Sequence, residues 1–91
     1  MEKNTQLEIK DKLKTFITEN FLPFSGLDSF EDADSLLENG IIDSTGVLEL
    51  LEFLEEHFSL EVEDSEVVPE NLDSVDNLIA FITRKSEDAS P

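Results

Sequence analysis

The sequence predicts an all-α fold: a small antiparallel four-helix bundle of three main helices and one short one, with a long first loop. Three observations predict it. Apolar residues recur at helical spacing in three separated stretches. The chain has 91 residues, which suits one domain with a single modest core. No segment alternates long enough for a sheet, since "SLEVE" at 59–63 is short and isolated. The domain is expected over 5–85, with 86–91 ("SEDASP") a frayed, flexible tail.

The first helix can open at Asn4 or Thr5, where Thr5 and Glu8 form a capping-box pair. Ile9, Leu13, Phe16, Ile17 and Phe21 then define one buried face. Pro23 ends the helix, because the residue before a proline avoids helical geometry. The loop from Pro23 to Asp43 exceeds the ~12–15 residues common in compact domains. It carries Phe24, Leu27, Phe30, Leu36, Leu37, Ile41 and Ile42, so it is expected to pack over the core. There is room in it for one helical turn near Asp34 to Glu38.

The second helix is predicted from Asp43 or Ser44 to Phe58, with Val47, Leu50, Leu51, Leu54 and Phe58 on one face. Thr45, Glu49, Glu52 and Glu56 fall opposite, with Glu55 beside them and Leu48 and Phe53 flanking the acidic stripe. The connector that follows has room for one brief helix around Glu66 to Leu72. Ser74 then caps a final helix whose inward face is Val75, Leu78, Ile79 and Ile82.

Charge narrows the function classes. The chain has 23 acidic and 6 basic residues, a net charge of −17, and no Lys or Arg between Thr15 and Thr83. Direct nucleic-acid binding needs clustered cations, so it is set aside. A partner with a basic docking surface complements this charge, although acidity also serves solubility. The chain contains no cysteine, and thus no disulfide framework or thiol chemistry of its own. No stretch reaches the ~20 apolar residues of a membrane span, and the start lacks a signal peptide's apolar core. A cytoplasmic monomer is the expectation. The acidic cluster at Asp28 to Asp34 fails the EF-hand pattern, because Leu36 and Leu37 occupy ligand and glycine positions.

The sharpest local feature is "GIIDSTG", Gly40 to Gly46, at the mouth of the second helix. Ser44 has three possible roles. It can be a plain N-cap, the common fate of a serine before a periodic run. Asp43 competes for that role, since its carboxylate can accept the free amide hydrogens instead. A catalytic nucleophile is disfavoured: Ile42 stands where the nucleophile elbow needs glycine, and no strand precedes it. The single histidine, His57, lies about 20 Å along the same helix, and a hydroxyl without a base is a poor nucleophile. No catalytic residue is assigned, and the chain is not expected to be an enzyme. The third role is covalent attachment, because a helix N-terminus tolerates a phosphodiester well.

Several residues together carry a resemblance. Leu37, Gly40, Asp43-Ser44, Glu49-Leu50 and Leu54-Glu55-Glu56-His57-Phe58 precede a Pro69-Glu70-Asn71 turn and an amphipathic helix from Ser74 to Thr83. This arrangement resembles the acyl carrier protein family over roughly Leu7 to Thr83. The resemblance implies a 4′-phosphopantetheine arm on Ser44, which tethers acyl chains as thioesters for enzymes of fatty-acid, lipid or specialised-metabolite synthesis. Asp43 would then be the cap and part of recognition by a phosphopantetheinyl transferase. An acyl-loading enzyme (acyl-carrier ligase or acyltransferase) and downstream acyl-handling enzymes are the other implied partners. The resemblance also implies that the attached chain is housed between the helices; no cavity residues are assigned.

The chain departs from the family at Thr45, usually leucine, and at Gly46, often acidic or polar. A glycine inside a helix costs up to about 1 kcal/mol relative to alanine. The pair is expected to alter which enzymes dock. The docking set is therefore Thr45, Gly46, Leu48, Glu49, Glu52, Glu55 and Glu56. Glu55 and Glu56 sit where the helix dipole disfavours anions, and like charges one turn apart repel, so docking explains the stripe better than local stability. An aminoacyl or peptidyl carrier, or an acidic interaction module that is never modified, remain as alternatives.

Overall fold

Three 15-residue helices and one short helix hold the chain together in the computed structural model, which describes residues 6–89, with side chains over 7–85. They are α1 (Gln6–Asn20), α2 (Ser44–Phe58), α3 (Pro69–Leu72) and α4 (Val75–Ala89). No strand occurs among the described residues. The expected capping pair at Asn4 or Thr5 lies outside them. The radius of gyration, 12.7 Å, is close to the ~12 Å of a compact chain this long.

The first helix buries Ile9, Leu13 and Ile17, and Phe21 follows just past its end, while Phe16 is half-buried on its flank. Pro23 lies past the end of α1, which stops at Asn20. It sits inside a separate 3-10 turn, Leu22–Phe24, where its missing N–H is no loss. That turn is firmly closed: Phe24 N–H donates to the Phe21 carbonyl at 3.1 Å, and Ser25 Oγ donates to that of Leu22 at 2.7 Å.

The long loop belongs to the core. Phe30, Leu36, Ile41 and Ile42 are buried, and Leu36 is wholly inaccessible. Phe24, Leu27 and Leu37, which the sequence also placed inward, are exposed, Phe24 at 86%. The helical turn expected at Asp34 to Glu38 is absent as a helix. One i to i+4 bond, Asn39 N–H to the Ser35 carbonyl, closes instead into a turn at Gly40. Gly40 has φ +71°, a left-handed conformation that suits glycine. The chain then doubles back, so that Ile41 and Ile42 both donate to the Leu36 carbonyl.

A single residue far along the sequence anchors this loop. Asp73, between α3 and α4, accepts from Ser35 Oγ at 2.6 Å and from Leu37 N–H at 2.8 Å. Its carbonyl accepts from Leu36 N–H at 2.7 Å. Asp73→Ala keeps the carbonyl bond and removes the other two, at an expected cost of about 2 kcal/mol. Hydrogen exchange checks it: the Leu37 amide should lose protection, and Asp73→Asn should restore part of it. Unchanged protection in the alanine variant would show that the Asp73 carboxylate does not anchor the loop.

A second tether lies at the loop's start. Lys10 and Lys14 on α1 pair with Asp32 at 2.6 and 2.9 Å, and Asp76 N–H donates to the Asp32 carbonyl. Hydrogen bonds from Lys10 and then Lys14 hold the Asp32 carboxyl below its ordinary pKa, and Asp32 in turn holds Lys10 above its own. With a folded-state pKa below the unfolded one, Asp32 contributes its full share of stability above the unfolded value, about 4. That share is lost as pH falls through the folded value. Urea titrations should therefore show wild type more stable than Asp32→Asn by a constant margin near neutral pH, and the margin should close in acid. A margin that grew on acidification would contradict the assignment.

The connector also differs from expectation. The single brief helix around Glu66 to Leu72 is in fact two pieces, a 3-10 turn at Asp64–Glu66 and α3 at Pro69–Leu72. Lys85 on α4 ties the first piece down through Glu66 at 2.9 Å. Ser74 caps α4, its hydroxyl accepting from Asn77 N–H at 3.1 Å. The helical backbone then runs to Ala89, past the boundary expected at Lys85. The buried face of α4 includes Phe81, 1% exposed, which the sequence pattern left out, while Ile79 is only half-buried.

Candidate functional site

The N-terminus of α2 is built by Asp43. Its backbone is extended (φ −117°, ψ −175°), as an N-cap requires, and its Oδ1 accepts from Gly46 N–H at 2.8 Å. Its carbonyl receives the first helical bond, from Val47 N–H at 3.0 Å. Ser44 is therefore the first residue of the helix rather than its cap. Its side chain is exposed, and among the described residues its hydroxyl has no hydrogen-bond partner.

Thr45 is exposed beside it. Gly46 is not, and this corrects its assignment to the docking set. Gly46 is buried, and a Cβ there would lie 3.0 Å from Ile42 Cγ1 and 3.1 Å from Phe21 Cε1. The residue gives the loop and the end of α1 room to close on α2. Its helix-propensity cost, up to about 1 kcal/mol, is offset by that close packing. The departure at Thr45-Gly46 thus splits into one surface position and one packing position, so Thr45→Leu alone is the clean probe of partner preference.

Leu48 is 62% exposed, and Glu49, Glu52, Glu55 and Glu56 all reach solvent. They do not form one uniform stripe. Glu55 turns toward the connector, where its Oε2 accepts from Val62 N–H at 3.0 Å. Glu49, Glu52 and Glu56 border a groove toward α1 whose floor is aromatic. There Phe16 stacks on Phe53 (centroids 4.1 Å apart, planes 15°), and His57 lies 4.4 Å beyond Phe53. The sequence reading left this stack unrecognised, because a pairing between two helices leaves no local pattern.

Two depressions lie near the N-terminal end of α2. On the α1 side, a groove of about 440 Å³ runs between Phe24, Asn20 and Gly40 and the first turn of α2 at Asp43, Thr45 and Glu49. On the other side, a narrow apolar cleft of about 100 Å³ separates Leu37, Ile42 and Val47 from Val67, Val68 and Leu72. Among the described residues no three His, Asp or Glu side chains converge as metal ligands, and no helix is long and apolar enough to cross a membrane. The carboxylates of the 28–34 cluster point to other work: Asp32 pairs with two lysines, and Asp34 Oδ2 accepts from Glu31 N–H at 2.8 Å.

No protein-family model and no curated protein matches this chain.

Proposed function

We propose that this chain is an acyl carrier protein, a non-enzyme that holds acyl groups on a 4′-phosphopantetheine arm attached to Ser44. One observation carries the reading: Asp43 supplies the cap, which leaves the Ser44 hydroxyl exposed and without a partner among the described residues. A modifying enzyme needs a free hydroxyl, and the first turn of a helix favours the phosphate that results. Thr45, exposed beside Ser44, puts little side-chain bulk next to the hydroxyl. The arm would supply a thiol, on which the acyl group is carried as a thioester.

The rest of the molecule supports the reading in parts. The three long helices and α3 are taken as an antiparallel bundle. The cleft between Leu37, Ile42, Val47 and Val67, Val68, Leu72 offers an apolar lining within reach of the α2 N-terminus. The exposed carboxylates of α2 and Leu48 suit basic docking surfaces on a phosphopantetheinyl transferase, an acyl-loading enzyme and later acyl-handling enzymes. A cytoplasmic setting goes with these partners.

Intact-mass spectrometry tests the proposal. Incubated with coenzyme A and a broad-specificity transferase, the protein should gain one phosphopantetheine, and Ser44→Ala should gain none. If wild type gains nothing, the unmodified acidic interaction module becomes the better reading. Loading of the modified protein by fatty-acid rather than amino-acid activating enzymes separates the acyl from the aminoacyl carrier.

A further inference from the structure

We propose that Asn39-Gly40 is a self-modifying site, where the asparagine side chain deamidates through attack by the glycine's own backbone nitrogen, and that the turn pinned by Asp73 sets the rate. The proposal stands apart from the carrier reading, since it needs only the chemistry of the loop.

Asn39-Gly40 is the one asparagine-glycine pair in the chain. The other asparagines precede threonine, phenylalanine or leucine, whose side chains crowd the amide nitrogen that must attack. Asn20, Asn71 and Asn77 are also held by helical bonding. The amides that follow them donate one helical turn back, Phe21 to Ile17, Leu72 to Val68 and Leu78 to Ser74. Asn39 and Gly40 lie instead at the exposed tip of a turn, open to the water that completes the reaction. Gly40 has no Cβ, and even an added one would meet nothing within 4 Å, so the space around this peptide is clear.

The atoms balance with water as the only co-reactant. Hydroxide takes the Gly40 amide proton, and the nitrogen forms a bond to Asn39 Cγ. The Cγ–Nδ2 bond breaks, and the side-chain nitrogen leaves as ammonia with a proton drawn from water, which restores the hydroxide. A succinimide ring then joins the two residues until water opens it. Attack at Cγ leaves aspartate. Attack at the backbone carbonyl of residue 39 leaves isoaspartate, in which the main chain runs through Cβ and Cγ.

Two bonds hold this reaction back in the closed turn. Gly40 N–H donates to the Leu37 carbonyl at 3.1 Å, and Asn39 Nδ2 donates to the Ser35 carbonyl at 2.7 Å. Both must open before the nitrogen and Cγ can meet. Asp73 resists that opening by accepting from Ser35 Oγ and Leu37 N–H, while Ser35 Oγ accepts from Glu38 N–H at 3.0 Å. The rate of deamidation therefore follows local opening of the turn rather than global unfolding.

The product cannot rebuild the turn. A carboxylate at position 39 has no hydrogen to give the Ser35 carbonyl and repels it. Isoaspartate also adds a carbon to the main chain, just before Ile41 and Ile42 donate to the Leu36 carbonyl. Ile42 packs so closely on Gly46 that a Cβ there would lie 3.0 Å from its Cγ1, so slack in the loop reaches the first turn of α2.

The test ages the full-length protein in mildly alkaline buffer at physiological temperature and follows it by intact mass and peptide fragmentation. Wild type should gain about one dalton, located at Asn39 with isoaspartate as the larger product, and none at Asn20, Asn71 or Asn77. Asn39→Gln, whose longer side chain closes such a ring poorly, should hold its mass. Asp73→Ala should deamidate severalfold faster, while Ile79→Ala, destabilised away from the loop, should stay close to the wild-type rate. In aged wild type the Ile41 and Ile42 amides should lose exchange protection, and more so than in Asn39→Asp, which has the new charge without the extra carbon. Mass gained evenly over the asparagines, or a folded chain that stays unchanged while the urea-unfolded chain converts, would overturn the site. Equal rates in Asp73→Ala and Ile79→Ala would overturn the gate, and full protection of Ile41 and Ile42 after ageing would overturn the consequence for the loop.

Discussion

Ser44→Ala is expected to abolish phosphopantetheine incorporation while changing folding stability by no more than about 0.5 kcal/mol. The stability half of this result follows from geometry. Ser44 is exposed at the first helical position, where alanine is well tolerated, and no described residue bonds its hydroxyl. Asp43→Ala should do the reverse to the fold, costing about 1 kcal/mol, because its Oδ1 satisfies Gly46 N–H. Paired urea melts and intact masses of the two variants therefore separate cap from attachment point. If Ser44→Ala were the more destabilising of the two, Ser44 would be acting as the cap, and the free hydroxyl that supports the carrier reading would be gone. Incorporation that persisted in Ser44→Ala would place the arm elsewhere.

Phe81→Ala is expected to cost about 3–5 kcal/mol, the largest stability loss of any single replacement considered for this chain. Phe81 heads the fully buried side chains by size at 1% exposure, and the Arg84 guanidinium lies 5.9 Å from its ring centroid. A domain of this size has only about 5–15 kcal/mol in total, so the melting temperature should fall by about 12 °C or more. Ile79→Ala, at a half-buried position, should cost clearly less. Thermal melts that ranked Ile79 above Phe81 would return the inward face of α4 to where the bare apolar pattern puts it.

That contrast shows how far pattern reading reaches. On α4 the residues Val75, Leu78 and Ile82 were legible as core, and they are buried. Periodicity marks a broad apolar sector, and Phe81 and Ile79 lie on opposite flanks of it. Which flank is covered depends on where the neighbouring elements sit, and α4 packs against both α1 and α3. The long loop repeats the lesson. Its seven apolar residues announced burial, but only packing decided that Leu36, Ile41 and Ile42 go in while Phe24 and Leu37 stay out.

At the candidate site, the local part was legible and the rest was not. An aspartate before a periodic run predicts a cap, because capping is settled within three residues of chain, and Asp43 bonds Gly46 N–H as that chemistry requires. Gly46 looked like a surface departure. Phe21 and Ile42, which approach from other elements, make it a packing position. The α2 glutamates looked like one stripe, and a contact with Val62 and a stack with Phe16 divide them between two faces.

By itself, then, the sequence determined the all-helical class, the three long helices, the start of α2 and the acidity of its exposed face. Each depends on contacts within about four residues or on composition alone. Tertiary structure decided the anchoring of the loop by Asp73, the depth of Gly46, the turn of α4 toward Phe81 and the aromatic floor of the α1–α2 seam. These join residues distant in the chain, and Ser35 and Asp73 are 38 positions apart. No local propensity encodes such a meeting. It is chosen by how whole helices share one small core.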